Sequence, residues 1–302
     1  MSKFRQRFKE IVNISRDVDW AIASESIRKN IYFRGPNVWI LAAAVIIASI
    51  GLNINSIPMI VGAMLISPLM GPIMGFGLGL GVNDTALLKE SLKHLGIMVL
   101  VSILASTLYY LVTPLELDNP TEMLARTRPT IYDVLVALFG GFAGILETCR
   151  KEKGTVISGV AIATTLIPPL CAIGYGIVTL NPLYIVGPFY LFFINIVFIA
   201  LATFLMVKYL KFPLVKVSDS TKHKKVSGTI VAFTLILIIP SIISAIMVIK
   251  ENQFRQNARK FVSDNKNFNK SYIYDHEVKH EKMSSTLSIY VAGEPLESSD
   301  KE

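Results

Sequence analysis

The sequence predicts an all-α membrane protein of about seven transmembrane helices. Six of them form an inverted repeat of three plus three spans with broken helices 2 and 5, and a small extracytoplasmic α+β tail follows. The mean hydropathy is +0.51 and only 17% of the residues are charged, against roughly a quarter in soluble domains. The apolar residues form long blocks, and basic residues lie between alternate blocks. A soluble globular domain is therefore excluded.

Seven blocks of nearly uncharged residues approach or exceed the length needed to cross a bilayer, for which a helix needs ~20 residues. The predicted spans cover 37–54, 57–80, 95–112, 131–146, 156–178, 183–207 and 226–249. The first block follows a long basic and polar stretch. We therefore expect a retained span and not a cleaved signal peptide.

The basic residues indicate the orientation. They concentrate in residues 1–34, 84–94, 150–153 and 208–225, which all fall on one side when seven spans are threaded. By the positive-inside bias that side is the cytoplasm. The sequence thus predicts a multi-pass protein of the inner (cytoplasmic) membrane with its N-terminus in the cytoplasm and its C-terminus outside. Topology also explains the net charge of +8, so no nucleic-acid partner is expected.

These spans divide the chain into six predicted segments. They are a cytoplasmic basic and amphipathic segment (1–33), membrane repeat 1 (34–112), an extracytoplasmic loop (113–130), membrane repeat 2 (131–209), a cytoplasmic loop with the seventh span (210–249) and an extracytoplasmic tail (250–302).

The tail has the pattern of a small α+β unit. Apolar residues share one helix face over 254–262, and 271–280 and 285–293 have the composition of strands. A lone helix and hairpin bury too little surface to be stable alone. We expect the tail to need the membrane domain, a partner chain or further chain.

The second and fifth spans contain helix-breaking prolines beside hydroxyl groups. A proline removes one backbone hydrogen bond, and unpaired backbone in hydrocarbon costs several kcal/mol, so such breaks persist where protein or a wet cavity satisfies them. Two facing breaks would provide ligands for a small solute or ion, whereas simple kinks that help helices pack are the alternative. The candidate pathway residues are Ser67, Pro68, Gly71, Pro72, Thr164, Thr165, Pro168, Pro169 and, in the middle of span six, Asn195.

The two broken spans also align with each other. Sliding the chain by 97 residues places "GAMLISPLMGPIMGFGLG" over "GVAIATTLIPPLCAIGYG", and the same offset places Ser106 on Thr203. Each copy holds three spans, so the copies enter the membrane from opposite sides and the repeat is inverted. We expect the two broken segments to lie side by side near the bilayer midplane.

Glycines recur at helical spacing in both copies. Small residues four apart let helix backbones approach closely, which favours packing within the protein or between copies of a homo-oligomer. The predicted packing glycines are Gly75, Gly77, Gly79, Gly140, Gly144, Gly174 and Gly176.

Five blocks carry a resemblance to a known family. They are "GLNINS" (51–56), "GAMLISPLMGPI" (62–73), "ARTRPTIYDVLVALFGGFAG" (125–144), "GVAIATTLIPPLCAIGYG" (159–176) and "YLFFINIVFI" (190–199). In this order they closely resemble a bacterial and archaeal family of multi-spanning proteins known only as an uncharacterised hydrophobic domain, a numbered domain of unknown function. The resemblance covers roughly residues 30–207. It implies a bacterial inner-membrane protein and supplies no substrate or activity.

The sequence contains no recognisable active site. It has no His, Cys and carboxylate cluster with metal-ligand spacing, no phosphate-binding loop and no Ser-His-Asp set. We therefore predict no enzyme activity and no metal site, and a cofactor stays unassigned. Two functions remain: passage of a small solute or ion through the inverted-repeat core, or a non-transporting sensor or scaffold that couples the tail to the cytoplasm. The expected partners are the lipid bilayer, that solute or ion and further copies of the chain.

Cysteine labelling tests the predicted topology, after Cys149 and Cys171 are replaced by alanine. Asn119→Cys and Glu251→Cys should react with a membrane-impermeant thiol reagent in sealed cells. In the seven-span topology both residues lie on the side of the membrane opposite the basic loops. Gly154→Cys should react only after the cells are opened. Labelling of Gly154→Cys in sealed cells, with protection of Asn119→Cys, would contradict the orientation.

Overall fold

A computed structural model describes ten stretches of the chain. They are residues 19–66, 68–113, 121–127, 129–150, 166–215, 243, 246–247, 249–268, 271–280 and 285–293. The chain divides into two compact units, Met1–Ile242 and Ile243–Glu302.

The described part of the first unit is helical. Its helices are α1 (Trp20–Ile31), α2 (Pro36–Asn53), α3 (Ile57–Leu65), α4 (Met70–Val82), α5 (Thr85–Val112), α6 (Thr121–Ala125), α7 (Ile131–Cys149), α8 (Ile167–Val178) and α9 (Leu183–Tyr209).

Several of these helices are suited to a bilayer. Within the described residues, α2, α5, α7 and α9 are long and apolar enough to cross one. The pair α3 and α4 also qualifies, bent by 56° at a short break, while α8 is apolar but shorter. The apolar helices indicate a membrane protein. The first half of the predicted fifth span and nearly all of the seventh lie outside the described residues.

Helix α5 begins ten residues before its predicted span. Asp84 caps it, because the Asp84 carboxylate accepts a hydrogen bond from Leu87 N (3.0 Å). The added turns carry Lys89 and Lys93, which the sequence analysis assigned to a loop. At 1.5 Å per residue the helix is about 42 Å long, more than the ~30 Å of bilayer hydrocarbon, so its charged first turns can reach beyond that layer.

Helix α1 packs against the helical core instead of standing free. Asp19 caps its start and accepts from Ala21 N (2.8 Å). Its buried face, with Ile27 and Ile31, joins an apolar cluster that includes Met74 of α4. The contact stabilises α1, because it removes the apolar side chains of that helix from water.

The second unit contains a helix over 249–264 and a three-stranded antiparallel sheet of order β1-β2-β3. The strands are β1 (Asn267–Phe268), β2 (Ser271–His280) and β3 (Ser285–Gly293). The last two have the bounds that the sequence predicted.

We expect residues 250–302 to be poorly ordered when expressed alone. Three strands and one helix offer little apolar surface to offset the entropy of ordering the chain. The measurement is a two-dimensional amide NMR spectrum with hydrogen exchange. Dispersed and protected amide signals from the isolated segment would contradict this expectation.

Candidate functional site

Helix α4 begins at the break of the second span and runs antiparallel to α5. A Cβ at Gly75 would lie 2.6 Å from Ser91 Oγ, and one at Gly79 would lie 2.9 Å from Leu88 Cγ. Residues nearer the end of α4 therefore contact residues nearer the start of α5. The beginning of α4 points toward the middle of α5.

Helix α8 is the second half of the predicted fifth span, whose first half lies outside the described residues, and it runs parallel to α5. Ser106 Oγ donates to Cys171 O (2.8 Å), and one turn later the rings of Tyr110 and Tyr175 lie 5.3 Å apart. The end of α8 thus lies toward the end of α5, and its beginning also points toward the middle of α5.

Helices α4 and α8 do not lie side by side along their lengths; the expected adjacency of the breaks involves residues outside the described part of the chain and stays a prediction. The contacts of the two helices on α5, at Ser91 and Ser106, are fifteen residues or about 22 Å apart along the helix. Both α4 and α8 pack on α5 and α9. The helices occupy different depths, but both of their N-terminal ends point toward the same central level.

That central level coincides with Asn195 of α9. Gly77 of α4 lies against Thr203, and α4 runs parallel to α9, whereas Gly176 of α8 lies against Ile185 and α8 runs antiparallel. Counting along the helices from these contacts brings both N-terminal ends to within about one turn of the level of Asn195. The Asn195 side chain is 1% exposed, in the interior of a long apolar helix.

Pro68 lies in the break between α3 and α4, and the other prolines of the two spans begin helices instead of kinking them. Pro72 lies in the first turn of α4, and Pro168 and Pro169 lie in the first turn of α8. The first four N–H groups of a helix have no acceptor within it, so proline at these positions sacrifices little. The N-cap residues of the two helices, Leu69 and Leu166, make no side-chain capping hydrogen bond. The start of each therefore retains backbone N–H groups and the positive end of a helix dipole.

A cavity of about 290 Å³ adjoins the first break, and we call it the α1 cavity. Of the predicted pathway residues, Pro68 and Gly71 line it; Ser67, Thr164 and Thr165 lie outside the described residues. Its remaining lining residues are Ile27, Lys29, Asn30, Asn37, Met70, Met74 and Thr148.

A second cavity, of about 220 Å³, lies between α3, α6 and α7, and we call it the α6 cavity. Sequence reasoning missed it, because residues 113–130 carried no signal beyond that of a mixed-charge loop. Asn55, just after α2, accepts from Glu122 N of α6 (3.2 Å). Helix α1 precedes the start of α2, whose eighteen residues span about 27 Å. The two cavities therefore lie toward opposite ends of α2.

The α6 cavity combines an apolar wall with ionisable side chains. Its lining residues are Ile57, Ile60, Val61, Met64, Glu122, Arg126, Tyr132, Asp133 and Val136.

Buried hydrogen bonds connect α2, α5 and α8, and the sequence analysis did not identify them. Tyr110 OH donates to Ser49 O (3.2 Å), and Cys171 Sγ lies 3.6 Å from Val45 O. The Ser49 and Ser106 hydroxyls lie 3.4 Å apart. Because these buried polar groups have partners within the protein, their arrangement favours a structural role.

Two of the predicted packing glycines each lie against a hydroxyl-bearing residue of a long helix. A Cβ at Gly77 would lie 2.6 Å from Thr203 Cβ, and a Cβ at Gly174 would lie 2.6 Å from Ser106 Cβ. Gly140 and Gly144 are buried in α7. A Cβ at Gly62 or Gly96, in contrast, would meet nothing within 4 Å.

Charged contacts connect α1 to the start of α5. Arg28 Nη2 lies 2.6 Å from the Asp84 carboxylate, which also caps α5. Beside it, the hydrogen bond and charge of Glu25 raise the pKa of Lys29 above its ordinary value. In the described part of the chain, no three His, Cys, Asp or Glu side chains gather as a metal site would require.

Comparisons with known proteins support the resemblance inferred from the sequence. Residues 64–201 match the family described as "Domain of unknown function (DUF389)". The chain is 30% identical over 138 residues to the uncharacterised protein MJ0678 of Methanocaldococcus jannaschii, a match that covers 46% of this chain and 42% of that protein. The matched region thus spans less than half of the relative. No solved structure matches the chain.

Alanine substitutions test the close contacts of the glycines. Gly77→Ala and Gly174→Ala should each destabilise the protein by about 1–3 kcal/mol, because the added methyl groups overpack the helix contacts. Gly62→Ala and Gly96→Ala are matched controls with free space, and alanine should leave stability unchanged or raise it by up to about 1 kcal/mol. Thermal unfolding in detergent measures all four variants. Equal melting temperatures across the set would contradict the packing role.

Proposed function

We propose from the helix arrangement that this membrane protein passes a small solute or ion through an inverted-repeat core. The family that residues 64–201 match has no assigned activity, so the proposal rests on the structure. The process requires no catalytic step. The carrying observation is that two half-helices point their N-terminal ends toward one central level from opposite directions. The basic loops favour a cytoplasmic N-terminus, an extracytoplasmic C-terminus and the inner membrane as location.

Helix boundaries support the repeat. When the first three-span set is shifted by 97 residues, α2 becomes 133–150, α4 becomes 167–179 and α5 becomes 182–209. The helices at those positions are Ile131–Cys149, Ile167–Val178 and Leu183–Tyr209. Agreement within two residues at every boundary is more than hydropathy alone requires.

Side-chain contacts support the same correspondence. The offset relates Gly77 to Gly174 and Ser106 to Thr203. Each glycine lies against the hydroxyl-bearing residue of the other three-span set. A two-fold relation between the sets produces such an exchange of partners, whereas a chance match in low-complexity sequence does not.

The turns after α4 and α8 provide further support. Asp84 N donates to Gly79 O (2.9 Å), closing the turn after α4. Exactly 97 residues later, Asn181 N donates to Gly176 O (3.0 Å). In each turn the residue before the donor has a positive φ, 62° and 52°. The two turns thus have closely similar backbone structures.

The half-helices and cavities connect this architecture to passage. Discontinuous helices with N-terminal ends near the midplane are typical of secondary transporters, in which they face the transported solute. Pro68 and Gly71 line the α1 cavity beside the first break, and α3, which precedes that break, lines the α6 cavity. One space at the break and a second beside the half-helix that precedes it suit a path that leads from the break toward one side of the membrane.

Reconstitution into liposomes tests the proposal against the sensor or scaffold alternative. Planar-bilayer current measures ions, and uptake of radiolabelled amino acids, sugars and carboxylic acids measures solutes. We expect protein-dependent passage of at least one class, with empty liposomes as the control. Folded, full-length protein that passes none of them would favour the sensor or scaffold.

Loss of single hydroxyls tests the role of the breaks. Ser67→Ala and Thr164→Ala each remove a hydroxyl group, at a typical cost of about 1 kcal/mol for one hydrogen bond, and should change the rate or selectivity of passage several-fold while preserving the fold. Thr179→Ala is the matched control, because the Thr179 hydroxyl donates to Tyr175 O (2.9 Å) at the other end of α8. The same passage in all three variants as in the parent would contradict a pathway at the breaks.

A further inference from the structure

The α6 cavity has two chemically different sides. One face of α3 forms an apolar wall that includes Ile57, Ile60 and Val61. Glu122, Arg126 and other polar residues line the cavity from α6 and the start of α7. An occupant would therefore need an apolar part and a charged part.

Arg126 is incompletely paired on this side. Its Nη2 lies 3.6 Å from Glu122 Oε2, longer than the about 2.7–2.9 Å of a charge-assisted hydrogen bond. Its Nε is buried and has no acceptor in the described part of the chain. Buried N–H groups almost always have partners. The Nε on the cavity wall is therefore placed to donate to an acceptor that the described residues do not supply.

The carboxylates of the cavity limit what that acceptor can be. Asp133 Oδ2 accepts from Thr130 N and Thr130 Oγ1, both at 2.7 Å, which holds it in the capping box of α7. With Glu122 it gives the lining of the cavity two carboxylates for one guanidinium. A simple anion would be repelled by the surplus negative charge, and a simple cation would leave Arg126 Nε unpaired.

We propose that the α6 cavity binds a small zwitterion with an apolar part. Its oxyanion accepts hydrogen bonds from Arg126, whose forked N–H groups match a carboxylate or phosphate. Its ammonium group donates to Glu122, and its apolar part lies against α3. The volume of about 220 Å³ is below the roughly 300–1,000 Å³ of sites for drug-sized ligands. That size admits an apolar amino acid or a zwitterionic lipid headgroup.

The α1 cavity repeats part of this charge pattern. Glu25 and Lys29 lie 97 residues before Glu122 and Arg126, and they form a 2.8 Å ion pair. Lys29 lines the α1 cavity, so each cavity is lined by the basic member of an acidic–basic pair. The assignment of the zwitterion as the transported solute rests on the proposed function; its binding to the α6 cavity does not.

Binding of L-leucine to the full-length protein in phosphatidylcholine nanodiscs tests the inference by calorimetry. We expect saturable binding of L-leucine. 4-Methylpentanoate, which lacks the ammonium group, and 3-methylbutylamine, which lacks the carboxylate, should each bind at least tenfold more weakly. Arg126→Gln and Glu122→Gln should each weaken leucine binding by about tenfold or more, because each removes a charged hydrogen-bond partner.

Two further variants separate binding from folding. Val61→Phe fills the apolar side without changing any charge and should abolish leucine binding while the protein still unfolds cooperatively. Arg150→Gln is the matched control. Arg150 forms a similar ion pair with Glu147 (3.2 Å) at the far end of α7, outside the lining of both cavities, and its loss should leave leucine binding unchanged.

The lipid of the nanodisc distinguishes the two sources of the zwitterion. Leucine binding that disappears when phosphatidylethanolamine is added supports a headgroup as the natural occupant, and binding that persists supports a free solute. The inference is overturned if leucine binds in neither lipid, if 4-methylpentanoate binds as tightly as leucine, or if folded Arg126→Gln binds normally. Binding without any passage in liposomes would overturn only the proposed function.

Discussion

The close approach of each half-helix to the long helices is the contact on which the membrane domain depends. Gly77 lies against Thr203, and Gly174 lies against Ser106. In a bilayer, apolar side chains gain little by leaving lipid for protein, so van der Waals packing and interhelical hydrogen bonds hold helices together. Helices α4 and α8 are about 20 and 18 Å long, too short to cross the hydrocarbon. Glycine faces allow such short helices to pack closely against α5 and α9.

The proposed function requires α4 and α8 to begin inside a membrane, which creates an energetic problem that itself suggests a use. The first N–H groups of each helix lack acceptors within it, and each unpaired group in hydrocarbon costs several kcal/mol. Prolines in the first turns reduce the number of such groups, and the α1 cavity adjoins the start of α4. The remaining N–H groups and the helix dipoles of both half-helices are directed toward the level of Asn195. Polar backbone at such a depth is a recurrent means of holding a solute.

In the proposed repeat, positions related by 97 residues differ in chemistry at the two ends of the helical unit. Leu78 and Val207 belong to the apolar cluster that α1 covers. The residues 97 positions away, Tyr175 and Tyr110, form an aromatic pair, and the Tyr110 hydroxyl donates to a carbonyl of α2. The end of the helical unit near Leu78 and Val207 is therefore packed with aliphatic side chains, and the end near Tyr110 and Tyr175 carries aromatic rings with a hydrogen-bonded hydroxyl. A path between these ends would meet different surroundings on the two sides of the membrane.

The sequence by itself determined which segments form apolar helices, because hydropathy and charge are local properties: α9 (Leu183–Tyr209) ends within two residues of its predicted span. It also located the break of the second span and predicted the 97-residue offset. Only the tertiary structure decided that the breaks begin helices, that α4 and α8 lie about 22 Å apart along α5, and that α3 and α6 enclose a cavity. A glycine face can pack against any long helix, and the sequence around Gly77 does not specify Thr203 as its partner. Likewise, Arg126 gained an apolar wall from α3 only because folding brought together segments that are distant in the chain.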